Sequence, residues 1–250
     1  MQDNKYNFVL RLADDALILG QRLSEWCGHG PVLEEDIALS NTSLDYIGQA
    51  TNLFKYAAEL AADGRDEDAL AFLRQESEYK NLLMLELPNG DYAFTIARQY
   101  LYSSFTLLYL TELANSSDSL LKGYAEKSIK EVRYHVQHAS DWVLRMGDGT
   151  EESHNRIQTA IQQIWSYSGE FFEMDEVDQK AVDEGYGVDK ASLRDAWQKA
   201  VTATLTEATL QVPESGWNQS GGRSGRHTEH MGFLLAEMQY LQRAYPGARW

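Results

Sequence analysis

Apolar residues recur at intervals of three and four along most of the chain, with polar residues between them, a pattern that predicts helix after helix. The first helix is expected from about Tyr6 to Cys27, stopped by Gly28-His29-Gly30-Pro31, where glycine and proline stand in the places that end helices. The second runs from about Leu33 past Glu59 and is closed by Asp63-Gly64; Leu33, Ile37, Leu44, Ile47, Phe54 and Ala58 form its expected apolar face. A third covers roughly Glu67 to Leu85, before the turn signal Pro88-Asn89-Gly90. The fourth, about Ala93 to Ala114, is apolar and aromatic nearly all round, as a helix buried at the centre of a bundle is. The fifth, about Ser119 to Met146, carries a stripe of Ile129, Val132, Val136, Ala139, Val143 and Met146. Thr150 is placed to cap a sixth helix reaching about Met174, and the acidic stretch from Glu173 to Glu184 reads as a solvated turn or short helix. A seventh spans about Lys190 to Leu210. The glycine-rich segment from Pro213 to Gly225 is irregular, and a last helix from about His227 to Arg243 presents Leu234, Leu235, Met238 and Leu241.

Four prolines and few β-branched runs leave little room for a sheet. No repeat, low-complexity tract or linker divides the chain, so residues 1–250 are expected to form one all-α domain. Short connections make neighbouring helices antiparallel, and helices of about 20 to 28 residues span roughly 30 to 42 Å. The expected architecture is a ferritin-like up-down helical bundle with additional flanking helices.

Composition narrows the function. A hydrophobic fraction of 43%, with 14 Tyr, 8 Phe and 6 Trp, belongs to a globular chain with a sizeable core. The net charge of −16 argues against nucleic acid as a partner. The single cysteine, Cys27, excludes an internal disulfide and a thiolate cluster, fits a reducing compartment, and is expected to be a small buried residue. Met1-Gln2-Asp3-Asn4-Lys5 has no basic region followed by an apolar run, and no stretch approaches a membrane span, so neither a signal peptide nor a membrane anchor is expected and the cytoplasm is the default compartment.

The chemistry centres on Lys130 to His138, which nearly spells a metal-binding pattern. Carboxylate-bridged di-iron bundles take a Glu-x-x-His pair from each of two helices and carboxylates from two others. On the second helix the matching place is Asp45-Tyr46-Ile47-Gly48, a shorter acid with glycine where histidine should stand; on the fifth it is Glu131-Val132-Arg133-Tyr134. The fourth helix has Ser103 and Ser104 at its middle and no acid between Asp91 and Glu112. These are too few donors for two irons. His135 comes one place late, at the edge of the apolar stripe about 60° from Val132, with Tyr134 pointing nearly the opposite way. A Glu131–His135 contact at i, i+4 then reads first as a structural or surface pair. A displaced site around Glu131, His135 and His138 stands as the alternative. Asn41, Asp45, Gly48 and Asn52 make a polar and small stripe on the second helix, which either faces water or is hydrogen-bonded, with Arg98 and Arg133 as partners for Asp45.

His227-Thr228-Glu229-His230 has histidines three apart but no other ligand nearby, and reads as the start of the last helix. Ser220-Gly221-Gly222-Arg223-Ser224-Gly225-Arg226 is basic in an acidic chain. It lacks the Gly-Lys-Ser/Thr ending of a P-loop, leaving a flexible connection, or contact of Arg223 and Arg226 with a phosphate or an acidic partner. No Ser/His/Asp order, dinucleotide fingerprint or CxxC supports a hydrolase, dehydrogenase or redox reading.

Several blocks together resemble a known family: Arg22-Leu-Ser-Glu-Trp-Cys-Gly-His29, Leu44-Asp-Tyr-Ile-Gly-Gln-Ala50, Leu87-Pro-Asn-Gly90, Thr95-Ile-Ala-Arg-Gln-Tyr100, Ile129-Lys-Glu-Val-Arg-Tyr-His135, His227-Thr-Glu-His230 and Leu235-Ala-Glu-Met-Gln-Tyr-Leu-Gln-Arg243. From the first helix to Trp250 the chain is similar to the PaaC subunits of the bacterial multicomponent phenylacetyl-CoA epoxidase. The resemblance implies a ferritin-like fold and a structural role with no catalytic residues of its own. It implies a di-iron partner, PaaA, that inserts one oxygen atom into the aromatic ring, further epoxidase subunits, and a reductase carrying flavin and iron–sulfur. It also implies Asp, Gly, Glu and Tyr at the ligand places, as at Asp45, Gly48, Glu131 and Tyr134, and an acid at the place of Ser103, where this chain departs from the family. No metal or cofactor is then expected on this chain, and self-association of the isolated subunit stays open. A free-standing di-iron or di-manganese carboxylate oxidase and a ligand-storing bundle are the competing expectations.

Overall fold

A computed structural model describes residues 4–214 and 216–248; Met1 to Asp3, part of the stretch in which no signal peptide is expected, and Trp250, the expected end of the resemblance, lie outside the described residues. In chain order the helices are α1 (Asn4–Ser24), α2 (Leu33–Ala61), α3 (Glu67–Phe72), α4 (Leu83–Glu86), α5 (Tyr92–Leu113), α6 (Ser119–Gly147), α7 (Glu151–Ile164), α8 (Glu176–Asp183), α9 (Arg194–Glu207), α10 (Glu229–Met238) and α11 (Tyr240–Ala244). Short 3-10 segments occupy Glu76–Glu78, Trp165–Phe172, Lys190–Leu193 and Gly222–Ser224, and no strand occurs among the described residues. The chain is all-α, in the ferritin-like class that its patterning predicts. Its contacts gather into two units, Met1–Pro88 with Gly221–Trp250, and Asn89–Ser220.

In the first unit α1 and α2 pack along their lengths. Phe8, Val9, Ile18, Leu19 and Leu23 of α1 are buried, as are Leu39, Tyr46, Ala50, Leu53, Phe54 and Ala57 of α2. The helices approach closely at Gly20, where a Cβ would lie 2.9 Å from Ile47 Cδ1 and 3.3 Å from Tyr46 Cβ. The buried backbone of that glycine is used: the Ser43 hydroxyl donates to the Gly20 carbonyl at 2.8 Å. Only part of the expected face of α2 is therefore the buried one. Ser43, Thr42 and Gln49 go inside, while Leu33, Ile37 and Leu44 are exposed.

Two further expectations need correction in this unit. Cys27 is exposed, because α1 ends at Ser24 and the chain leaves in tight turns, Trp26 N–H to Leu23 O and Cys27 N–H to Ser24 O. The single helix expected from Glu67 to Leu85 is broken after Phe72. There the backbone N–H groups of Lys80 and Leu82 bond to the carboxylates of Asp14 and Asp15, both at 2.8 Å, instead of to carbonyls one turn back. The last helix breaks likewise: the Gln239 amide at the junction of α10 and α11 donates to Arg74 O and Tyr79 Oη, and Leu241 is exposed.

The second unit is built on α5 and α6, joined by a short turn and hence antiparallel. Asp91, Asp118 and Thr150 cap α5, α6 and α7, each accepting backbone N–H groups of the first turn. The expected sixth and seventh helices each have a 3-10 portion, Trp165–Phe172 after α7 and Lys190–Leu193 before α9. The first of these presses Phe171 and Phe172 against Phe105 of α5 and Trp197 of α9, with ring centroids 5.0 to 6.0 Å apart. The Trp197 indole donates to the Leu101 carbonyl at 3.0 Å. The acidic stretch contributes α8, opened by a capping box at Asp175 and tied down by the buried Lys190–Asp178 pair at 2.8 Å.

Gly147 ends α6 under tight constraint. A Cβ there would lie 2.8 Å from the Ala208 Cβ and closer still to the Ala208 carbonyl oxygen, while its own carbonyl meets His154 Nδ1 at 2.7 Å and the Thr209 hydroxyl at 3.1 Å. Gly147→Ala is expected to cost about 1–3 kcal/mol, as overpacking against backbone does, measured as a lowered urea midpoint. An unchanged midpoint would show that α6 shifts freely away from Ala208.

Candidate functional site

Each expected ligand position has its own surroundings. On α2, Asp45 and Gly48 are half-buried, and a Cβ on Gly48 would meet no atom within 4 Å. On α5, Ser103 is fully buried and its hydroxyl donates to the Gln99 carbonyl of the preceding turn, which is how a helical serine without an outside partner satisfies itself. Arg98, one of the partners expected for Asp45, is buried and donates to Asn89 Oδ1 at 2.5 Å; the other, Arg133, is exposed.

On α6 the buried positions from Leu121 to Met146 are Leu121, Ala125, Ser128, Val132, His135, Ala139, Val143 and Met146, an unbroken three-four series, with Gly147 buried at the end of the helix. His135 is a member of the packing stripe, while Ile129 and Val136, expected within it, are half-buried. Tyr134, expected at the place of a lost inward ligand, is 49% exposed and stacks on the half-buried His138 with centroids 6.0 Å apart. At about 100° per residue, 134 lies some 200° from Val132, so it cannot share the buried stripe. The half-buried Glu131 carboxylate lies 4.0 Å from the exposed Lys127 ammonium. Among the described residues no group of three or more His, Cys, Asp or Glu side chains is placed to hold a metal ion, and α5 offers no carboxylate from Tyr92 to Thr111. Glu131, His135 and His138, the residues of the displaced alternative, form no such group.

The dense polar chemistry lies elsewhere, in the first unit, where Arg223, His227 and Thr228 meet Asp14, Asp15, Arg74, Tyr79 and Glu86, five residues that sequence reasoning did not single out. Asp14 and Asp15 are a doublet of acids inside the apolar run of α1, a signal that two buried carboxylates need cations. Arg74 takes Asp14 through both terminal nitrogens, donates also to the Leu70 and Glu78 carbonyls, and stacks 4.1 Å above the Tyr79 ring. Burial pushes the Tyr79 phenol up to about 12, so it stays protonated and donates to Ala71 O at 2.5 Å. Arg223 takes Asp15 in the same forked manner, at 3.0 and 2.7 Å, with its Nη1 also on the Lys80 carbonyl at 2.6 Å. Arg223, expected as a contact for phosphate or partner, is thus turned inward as an anchor of the Gly/Arg loop; Arg226 carries the loop's exposed charge.

Glu86, also fully buried, accepts from Asn81 Nδ2 at 2.9 Å and from the Thr228 backbone N–H at 2.5 Å, and pairs with His227 Nδ1 at 2.7 Å. His227 Nε2 meets the Tyr79 carbonyl at 3.0 Å. Burial alone would lower the pKa of His227, but the hydrogen bond and charge of Glu86, helped by that carbonyl, raise it above 6.5. Thr228 caps α10 by accepting from His230 N–H, so His227-Thr228-Glu229-His230 is a helix start, as its sequence predicts. The pattern of bonds fastens the 221–248 segment onto α1 and the 73–86 stretch, and contains no nucleophile–base pair.

Known proteins resemble the chain over nearly its whole length. It is 49% identical over 243 residues to a 1,2-phenylacetyl-CoA epoxidase subunit of Escherichia coli (strain K12), an alignment covering 97% of this chain and 98% of that relative. The family model described as phenylacetic acid catabolic protein matches residues 1–250. The chain therefore belongs to the phenylacetic acid catabolic protein family.

Proposed function

We propose that this chain is a non-catalytic structural subunit of a multicomponent phenylacetyl-CoA epoxidase, acting in the cytoplasm beside the di-iron catalytic subunit PaaA. The observation that carries the reading is the centre of α5, where a carboxylate ligand would have to stand and Ser103 is spent on its own helix. Asp45, Gly48 and Glu131 are then remnants of ligand places by residue type, with Gly48 and Tyr134 turned outward. The name of the Escherichia coli relative supports membership of the complex. In this reading the iron is held by the catalytic subunit, flavin and iron–sulfur by the reductase, and this chain contributes a folded surface. Arg226 is the loop cation open to the CoA phosphates or an acidic surface. No helix among the described residues is long and apolar enough to cross a membrane.

The test is reconstitution. The purified chain is expected to hold far less than one iron by elemental analysis and to leave phenylacetyl-CoA unchanged with reductase and oxygen. Addition of the di-iron subunit is expected to give a stable complex that turns over. Two irons per chain, or turnover without the catalytic subunit, would refute the proposal.

A further inference from the structure

We infer that the outward face of the N-terminal half of α2 is where the di-iron subunit of the epoxidase docks, through an apolar ridge rimmed with basic side chains; this rests on the subunit role proposed above. Leu33, Ile37 and Leu44 are 72%, 51% and 67% exposed, and Val32, at the cap of the helix, 53%. Positions 33, 37, 44 and 48 fall on one side of a helix, a line roughly 22 Å long at 1.5 Å per residue. At its far end Gly48 leaves the helix bare, with nothing within 4 Å of where a Cβ would stand, so another backbone could approach closely there. The opposite side of α2 already carries its own buried set, including Leu39, Tyr46, Leu53 and Phe54. The helix is thus apolar on two sides. Single exposed leucines are ordinary, but a collinear apolar series on one helix marks a surface meant to be covered.

Charge decides what covers it. At about 100° per residue Glu34 and Asp45 flank the stripe on one side and Asp36 on the other, Glu35 falls towards the buried side, and the first cation of the helix, Lys55, stands beyond Gly48 and pairs with Glu67 at 3.7 Å. Asp36 is committed to the preceding loop, accepting the Gly30 N–H at 2.9 Å; this and neighbouring backbone N–H groups hold its carboxyl below the usual range and so keep it charged. A second copy docking face to face would set these acids against themselves, in a chain already at −16. A partner with an apolar ridge flanked by lysine or arginine satisfies both the stripe and its rim.

The experiment uses the full chain and the purified di-iron subunit. The triple variant Leu33→Glu, Ile37→Glu, Leu44→Glu is compared with Phe233→Glu, Tyr240→Glu, which charges two other exposed aromatics on α10 and α11. The stripe variant is expected to keep the wild-type thermal midpoint and to bind at least about 100-fold more weakly. The control should bind as wild type, and wild-type affinity should fall as salt is raised. Full binding by the stripe variant, loss of binding in the control instead, or salt-independent wild-type affinity would each overturn the inference while leaving the subunit role intact. So would a wild-type dimer in sedimentation that the stripe variant converts to monomer without loss of subunit binding, since a second copy would then be the occupant. Failure of the wild-type chain itself to bind the di-iron subunit would overturn the proposed function and this inference together.

Discussion

Asp14→Ala is expected to lose about 3–5 kcal/mol of folding stability, much of what a domain of this kind has to lose. The reason is asymmetry. Asp14 is fully buried and accepts from both terminal nitrogens of Arg74 and from the Lys80 N–H at 2.8 Å. Removing the carboxylate leaves a buried guanidinium without its counter-charge, and a backbone N–H without its acceptor. Arg74 could not simply swing out to water, because its Nε is held by the Leu70 carbonyl and its plane lies on Tyr79. The double variant Asp14→Leu, Arg74→Met should recover a good part of the loss, since it removes both desolvated charges together. Urea unfolding of wild type, the two single variants and the double measures the cycle. A single-variant loss below about 1 kcal/mol would mean that water reaches the pair and that the clasp is a surface feature.

The parts of the fold that local chemistry decides were legible in the sequence. Helices α5 and α6 begin after Asp91 and Asp118, and α7 after Thr150, because those side chains satisfy first-turn N–H groups wherever the rest of the chain lies. The near-continuous apolar surface of α5 marked a buried helix, and Thr228 marked a helix start. What failed was decided at a distance. The 67–85 stretch has helical patterning, but Asp14 and Asp15, more than 60 residues earlier, take its N–H groups at Lys80 and Leu82. Helix α2 has two sides of comparable apolarity, and periodicity alone chose the outward one at Leu33, Ile37 and Leu44. On α6 the angular argument placed Tyr134 away from the stripe correctly but left His135 at its edge, where packing draws it inside. Arg223 in its glycine-rich loop looked like a free cation because its partner, Asp15, is 208 residues away. The residue types at Asp45, Gly48, Ser103, Glu131 and Tyr134 were legible; which of them face inward was not.

The second large effect is expected at Glu86, and it carries a pH signature. Glu86→Ala removes one carboxylate that serves Asn81, His227 and the Thr228 N–H, all in a buried position, and should cost about 3–5 kcal/mol. Part of that belongs to the charged pair with His227, whose pKa is raised above 6.5 in the folded chain. A base whose pKa is raised on folding binds its proton more tightly in the native state. Its contribution is therefore complete below the unfolded value of about 6.5 and fades as pH rises through the higher folded value. His227→Gln keeps a neutral polar side chain at the position and removes the titration. The stability gap between wild type and His227→Gln should then be widest near pH 5 and shrink towards pH 9, while the Glu86→Ala loss keeps a pH-independent share from Asn81 and Thr228. Urea unfolding across that range gives both curves. A wild-type advantage over His227→Gln that grows with pH would reverse the sign and show that His227 is held neutral, with Glu86 accepting only an uncharged N–H.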